Sequence, residues 1–295
     1  MGSDLLNYAQ AAALIQAYAQ RLLRIDRAVE RLPLARSAGR VLARPLPADR
    51  DQPPFSRSTR DGFACLAQQA NAHAPLPIAG TTRAGDAPAG PLPPGAAWEI
   101  MTGAPVPAGA DAVMMLEHAD TSGEPGRQTV RLLPPRTLAP GENIVDRGAQ
   151  AHAGDELLPA GSVVHAAQIA LAASCGYAEL EVFARPRVAI LATGDEIVPI
   201  ETDPAPGQIR NSNSPMLAAL VESAGGEPLV LPSAADTPAA LDAALGYAAD
   251  SDLLLITGGV SAGKFDLVEP ALLRAGARFH FTGVRMQPGK PAVFG

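Results

Sequence analysis

Three glycine-bearing loops hold most of the groups in this chain that could do chemistry. They are Ala192-Thr193-Gly194-Asp195-Glu196, the longer Thr257-Gly258-Gly259-Val260-Ser261-Ala262-Gly263-Lys264-Phe265-Asp266, and Gln287-Pro288-Gly289-Lys290-Pro291. Glycines let backbone amides come close to an anion, a threonine hydroxyl adds a donor, and a lysine ammonium suits phosphate. Lys264 and Lys290 are the only lysines in a chain with 23 Lys and Arg residues, and both stand in these loops. Asp195, Glu196, Asp236 and Asp266 fall at expected strand ends, where carboxylates could surround one Mg2+ shared with a substrate phosphate. Taken singly, each loop is explained equally well as a turn and each acid as a solvated surface group. Three such loops at one sheet edge favour a ligand site, because ligands of open α/β sheets bind beyond the carboxyl ends of the strands.

Two more segments carry candidates. Ser58-Thr59-Arg60-Asp61-Gly62-Phe63-Ala64 places Asp61 before a glycine, which is first of all a turn signal. Ile100-Met101-Thr102-Gly103-Ala104-Pro105 offers Thr102 as a hydroxyl ligand or a turn residue. Gly259-Val260-Ser261-Ala262-Gly263 fits the G-x-S-x-G nucleophile elbow, but that fold needs an acid and then a histidine downstream. Only Asp266, Glu269 and His280 follow, within the next helix and strand, and too little chain remains for a hydrolase. Cys65 and Cys175 sit among apolar residues and read as buried thiols, and Trp98 reads as packing. His73, His118, His152 and His165 have no partner spacing.

The elements that must position these residues change character along the chain. Residues 7–25 are rich in Ala, Leu, Gln and Arg without Gly or Pro, which predicts an amphipathic helix. A short second helix is expected over 38–43, capped by Ser37 and ended by Pro45. Between 45 and 140, short apolar runs at 62–66, 98–101, 112–116 and 129–133 alternate with Pro/Gly clusters, as in a small β domain. Helical character returns over 165–174, closed by Gly176, and this helix is expected to pack on the N-terminal one.

From Arg187 onward β and α signals alternate. Val188-Ala189-Ile190-Leu191 is apolar throughout and predicts a strand buried on both faces. A helix opens at Ser214 with Pro215 as its first residue, strand 229–231 follows, and Thr237-Pro238 starts another helix. Strand 253–256, a helix from Asp266 to Arg274, a strand-like stretch over 278–286 and a last strand over 291–295 complete the pattern. The expectation is an α/β fold with a doubly wound parallel sheet. A buried strand at the terminus suggests that the chain ends inside a domain.

Composition narrows the function. The 295 residues are 47% hydrophobic and carry a formal charge of -7, which disfavours a nucleic-acid or anionic-membrane binder. Two distant cysteines suggest no disulfide framework, and the five histidines show no zinc spacing. There is no secretory or myristoylation pattern, and no apolar run reaches about 18 residues. A soluble, cytoplasmic protein is expected.

Together these segments resemble the molybdopterin molybdenumtransferases of molybdenum-cofactor synthesis, the MoeA type and the related domain of gephyrin. The resemblance runs from the first helix to Gly295. It is carried by 58–64, by Ile100-Met101-Thr102-Gly103-Ala104-Pro105-Val106-Pro107 with Gly109-Ala110-Asp111-Ala112-Val113, by Thr193-Gly194-Asp195-Glu196, by Gly258-Gly259-Val260-Ser261 and by Pro288-Gly289-Lys290-Pro291. It implies a helical linker domain from 1–48 and 141–180, an inserted β domain over 49–140 and a molybdopterin-binding α/β domain over 181–295. It also implies a homodimer with the cleft between subunits, and a further C-terminal barrel beyond this sequence. The implied reaction inserts molybdate into adenylylated molybdopterin with Mg2+ and releases AMP. A molybdopterin-adenylylating enzyme would act upstream and molybdoenzyme-maturation partners downstream.

By residue, the resemblance makes Asp61, Thr102, Glu196, Asp236 and Asp266 catalytic, with the last three as metal ligands. Thr193, Gly194, Gly258, Gly259, Ser261, Lys264 and Lys290 would bind the pterin phosphate or adenylate. Gln287 replaces a basic residue frequent in the family, and Gln150 in Arg147-Gly148-Ala149-Gln150 stands where acids are common. The alternatives are a pterin-binding or scaffold module without turnover, given the missing C-terminal domain, and the related adenylyltransferase. The latter is disfavoured because it lacks insertions bearing Asp61 and Thr102.

Overall fold

The computed structural model describes residues 5–22, 27–259 and 267–295. It divides into two compact units, one drawn from the segments up to Ala43 and from Glu179 onward, the other spanning Arg44–Ala178.

At the centre of the first unit lies the strand Arg187–Ala192, paired in parallel with Glu227–Val230 on one side and Leu253–Thr257 on the other. Alternate side chains of a strand point to opposite faces. Ala189 and Leu191 pack with Leu241 and Ala244 of helix Pro238–Ala248 and with Ala271 of helix Val268–Arg274. Val188 and Ile190 pack with Leu217 and Val221 of helix Asn213–Ser223. Helices therefore cover both faces, which is why every residue from Val188 to Ala192 is apolar and buried.

Helix starts follow local chemistry. Thr237 caps its helix by accepting from the Ala240 amide at 3.3 Å, with Pro238 as the first helical residue. Helix Asn213–Ser223 begins earlier than its sequence suggested, with Ser212 at the cap, so Pro215 is third rather than first. It still lies in the first turn, where its missing N–H costs no helical bond. Asn7 and Gln10 exchange backbone-to-side-chain bonds of 2.9 Å each at the start of helix Tyr8–Leu22. That helix stacks Tyr18 on His280 and Phe294, at ring-centroid distances of 4.4 and 5.6 Å.

Three expected elements of this unit do not form as regular helix or strand among the described residues. The helix over 38–43 is replaced by a 3-10 turn, Leu34–Arg36, which Ser37 closes rather than opens. Gly39 follows at φ +74, and Leu42 bridges to Val182 of strand Glu179–Phe183. Extended pairing thus wins over the local helical signal. The strands over 278–286 and 291–295 reduce to isolated bridges, Phe281 to Phe294 antiparallel and Val284 to Leu6 parallel. Pro288 and Pro291 withhold donors, and the Lys290 carbonyl accepts from the amides of Val284 and Ala292, both at 3.0 Å, in a local turn.

The second unit is built on a six-stranded sheet in the order Ala112–Met115, Gly62–Cys65, Ala97–Ile100, Leu76–Thr82, Thr129–Leu132, Ala119–Ser122. All pairings are antiparallel except Leu76–Thr82 with Ala97–Ile100. Phe63, Cys65, Met114, Val130 and Leu132 fill one core, and Ala64, Ile100 and Val113 a second. Helix Ala166–Ser174 and Gly176, at φ +80, stand as expected. No described helix is long and apolar enough to cross a membrane.

Candidate functional site

The central strand and Leu253–Thr257 end side by side, with Ala192 opposite Thr257 and the Thr193 amide donating to the Thr257 carbonyl at 2.9 Å. The next strand of this sheet in sequence, Glu227–Val230, lies on the other side of the central one. Connections that diverge in this way leave a crevice at the carboxyl ends. A cavity of about 200 Å³ opens there, its wall including Thr193, Glu196, Asn211, Asn213, Thr257 and Gly258.

Gly258 is obligatory at this edge. Its φ is +97, and a Cβ would stand 2.3 Å from the Thr193 carbonyl oxygen and 2.8 Å from Thr193 Oγ1. The Thr193 side chain is buried at 2% exposure, and its Oγ1 has no hydrogen-bond partner among the described residues. On the opposite wall, Asn213 Nδ2 donates to Thr257 Oγ1 at 2.9 Å. Asn211 accepts from the Ser214 amide at 3.1 Å and donates to Ser214 Oγ at 3.0 Å, which fixes the helix start. Ser212 makes no side-chain cap bond. The positive end of the 11-residue helix Asn213–Ser223 therefore faces the cavity.

The acids divide. The Glu196 carboxylate lies over Gly194, where a Cβ would come within 2.6 Å of Glu196 Oε2. Asp195 Oδ1 instead accepts from the Asp236 amide at 3.0 Å. With the Thr193 to Ala234 bridge, this ties the two loops together. Arg210 also lines the cavity, but its guanidinium bonds the Asp203 carboxylate at 2.8 Å and the Thr202 carbonyl at 3.1 Å.

Of the residues singled out from sequence, Thr193, Glu196 and Gly258 reach one cavity, with Gly194 beneath Glu196. Gly259, at φ +59, packs under Val268, whose Cγ2 would be 2.3 Å from a Cβ. Asp236 and Lys290 are not lining residues, and Lys290 is exposed. Ser261, Lys264 and Asp266 lie outside the described residues. Among the described residues no group of three His, Cys, Asp or Glu side chains could hold a metal ion. Asn211 and Asn213 were missed by sequence reasoning, and Thr257 opened a quoted loop without being given a role of its own. The run Asn211-Ser212-Asn213-Ser214 ahead of a helix was the available signal.

In the second unit, Asp61 Oδ1 accepts from both the Thr102 amide at 2.6 Å and the Thr102 hydroxyl at 2.8 Å. These donors, the amide first, hold the Asp61 carboxyl below the usual carboxylate range. The two segments quoted from sequence thus meet in one exposed corner. Gly62 is no turn residue: it lies in a strand, where a Cβ would come 1.9 Å from the Met114 carbonyl oxygen. Close approach, not a positive φ, demands glycine there. Arg147 Nε donates to Asp51 Oδ2 at 2.6 Å, and the amide of the unusual Gln150 donates to the Gln52 carbonyl at 2.8 Å.

Comparison with known proteins agrees with this geometry. Residues 6–176 match a family described as "MoeA N-terminal region (domain I and II)", and 189–295 match "Probable molybdopterin binding domain". The chain is 39% identical over 259 residues to a molybdopterin molybdenumtransferase of Nostoc sp., covering 86% of this chain and 58% of the relative. It is 38% identical over 275 residues to molybdopterin molybdenumtransferase 2 of Mycobacterium tuberculosis H37Rv, covering 90% and 66%. A crystal structure of the molybdopterin biosynthesis MoeA protein of Pyrococcus horikoshii superposes with a TM-score of 0.81 at 28% identity, covering 99% of this chain and 72% of that one. The chain thus spans 58% and 66% of the lengths of these two curated relatives. Matched at both ends, with the glycine-lined crevice in the segment described as molybdopterin-binding, the chain belongs to the MoeA family of molybdopterin molybdenumtransferases.

Proposed function

We propose that this chain inserts molybdate into adenylylated molybdopterin, releasing AMP and finished molybdenum cofactor. The observation that carries the reading is the cavity at the diverging strand ends, where Gly258, Thr193 and the start of helix Asn213–Ser223 converge. In this reading the amides of Gly194, Gly258 and Gly259, with Thr193 and Ser261, hold the pterin and its phosphate, and Lys264 and Lys290 offset the anionic charge. Glu196, Asp236 and Asp266 supply the oxygen donors that Mg2+ prefers. A bound Mg2+ would offset charge on the phosphoanhydride. Asp61, oriented by Thr102, serves the cleft from the other protomer of a cytoplasmic homodimer. The chain is then organised as a linker domain (1–48, 141–180), an inserted β domain (49–140) and the pterin domain (181–295). Its substrate comes from a molybdopterin-adenylylating enzyme, and its product passes to molybdoenzyme-maturation partners.

A second reading is a pterin-binding module without turnover, which needs only the cavity and not the Mg2+ site. Purified chain supplied with adenylylated molybdopterin, molybdate and Mg2+ separates the two. AMP release together with reconstitution of an apo-molybdoenzyme supports the transferase. Pterin retention without AMP release supports the module.

A further inference from the structure

We infer that Glu196 is the acceptor that recognises the hydrogen-bond-donating edge of the pterin ring, and that the cavity it lines is a heterocycle pocket rather than an anion pocket. The inference rests on the proposed pterin substrate and gives Glu196 to the pterin ring, leaving Asp236 and Asp266 as the carboxylates of the proposed Mg2+ site.

Charge is the first argument. Among the described residues Glu196 is the one acid of the cavity wall and Arg210 the one cation, and Arg210 is bonded to Asp203 and to the Thr202 carbonyl. The start of helix Asn213–Ser223 offers a partial positive charge, but a phosphate placed there would meet the full negative charge of a carboxylate that no described cation neutralises, so an anion is disfavoured. Shape is the second. About 200 Å³ lies below the usual 300–1,000 Å³ of drug-sized sites and suits one fused ring system. Ile197 and Ile209 supply apolar surface for the faces of a flat ring.

Hydrogen-bond accounting is the third. Thr193 Oγ1 is buried and unpaired among the described residues, and a buried polar atom normally has a partner. Asn213 commits its Nδ2 to Thr257, which leaves its carbonyl oxygen as an acceptor. Among its polar groups the wall thus presents the acceptors of Glu196 and Asn213 and the unpaired hydroxyl of Thr193. A 2-amino-4-oxo pyrimidine ring offers adjacent N3–H and 2-amino donors that fit a carboxylate in a two-bond fork. The phosphate-bearing tail then falls outside this pocket.

Two fluorescent probes test this in the full chain with EDTA present, so that no metal role of Glu196 contributes: pterin, and lumazine, which carries a 2-oxo group in place of the 2-amino group. Wild type is expected to bind pterin about tenfold or more tightly than lumazine, as for a hydrogen bond to a charged group. Glu196→Gln, which can donate to a 2-oxo group, is expected to abolish that preference while remaining folded by circular dichroism. Inorganic phosphate should not compete with pterin. Equal binding of the two probes, an unchanged preference in Glu196→Gln, competition by phosphate, or no pterin binding would each overturn the assignment. AMP release from the adenylate is measured separately, so a catalytically silent chain that still prefers pterin refutes the transferase reading and leaves this one standing.

Discussion

Replacing Gly258 with alanine tests how closely the two strand ends must approach to form the site. A Cβ there would stand 2.3 Å from the Thr193 carbonyl oxygen, so the strand ends must part by roughly 1 Å to reach ordinary contact. That movement stretches the 2.9 Å bond from the Thr193 amide to the Thr257 carbonyl, worth about 1 kcal/mol net. Alanine at φ +97 adds about 1–2 kcal/mol of backbone strain. The total is about 2–3 kcal/mol, and the displaced Thr193 and Thr257 should also weaken pterin binding. Gly207 is the control: its φ is +90, but nothing lies within 4 Å of the Cβ position, so Gly207→Ala incurs the strain alone. Urea unfolding followed by circular dichroism should place Gly258→Ala about 1 kcal/mol or more below Gly207→Ala. If the two variants unfold at the same midpoint and bind pterin equally well, the close approach is not what constrains this position.

Thr102→Val removes the hydroxyl donor to Asp61 but keeps the amide, which is the larger cause of its lowered pKa. A carboxyl depressed when folded stabilises the protein above its unfolded value near 3.8 and loses that contribution as pH falls through the folded value. The variant should raise the Asp61 titration midpoint part of the way toward 3.8, read by carboxyl-carbon NMR; no upward movement would show that the hydroxyl does not act on the carboxylate. The Cys65 thiol is pushed up to about 12, chiefly by burial and then by the charge of Asp111. Iodoacetamide at pH 8 should leave Cys65 unmodified in native protein and alkylate it in denaturant; rapid native labelling by mass spectrometry would contradict its burial.

Much of the pterin unit was legible in local signals. The unbroken apolar run at Val188–Leu191 marked a strand covered on both faces, because no solvent-facing position interrupts it. Thr237-Pro238 marked a helix start because capping uses groups three residues apart. The glycine loops that reach the cavity were visible as composition, since close backbone approach and positive φ leave few other residues possible. The pairing of Asp61 with Thr102 was not visible as a contact: the two lie 41 positions apart, and the loop is closed by pairing of Gly62–Cys65 with Ala97–Ile100.

By itself the sequence determined the strands and helices with strong periodicity or capping, the residue types available at the strand ends, and the family. Tertiary structure decided what depends on a distant partner. Leu42 leaves its expected helix because Val182 offers an extended neighbour. Gly62 is required by a carbonyl 52 positions away, that of Met114. Asn213 becomes part of a binding wall because Thr257 lies across the crevice. Propensity and capping are set within a few residues, whereas a cavity is defined by surfaces that meet only when the chain has closed its long loops.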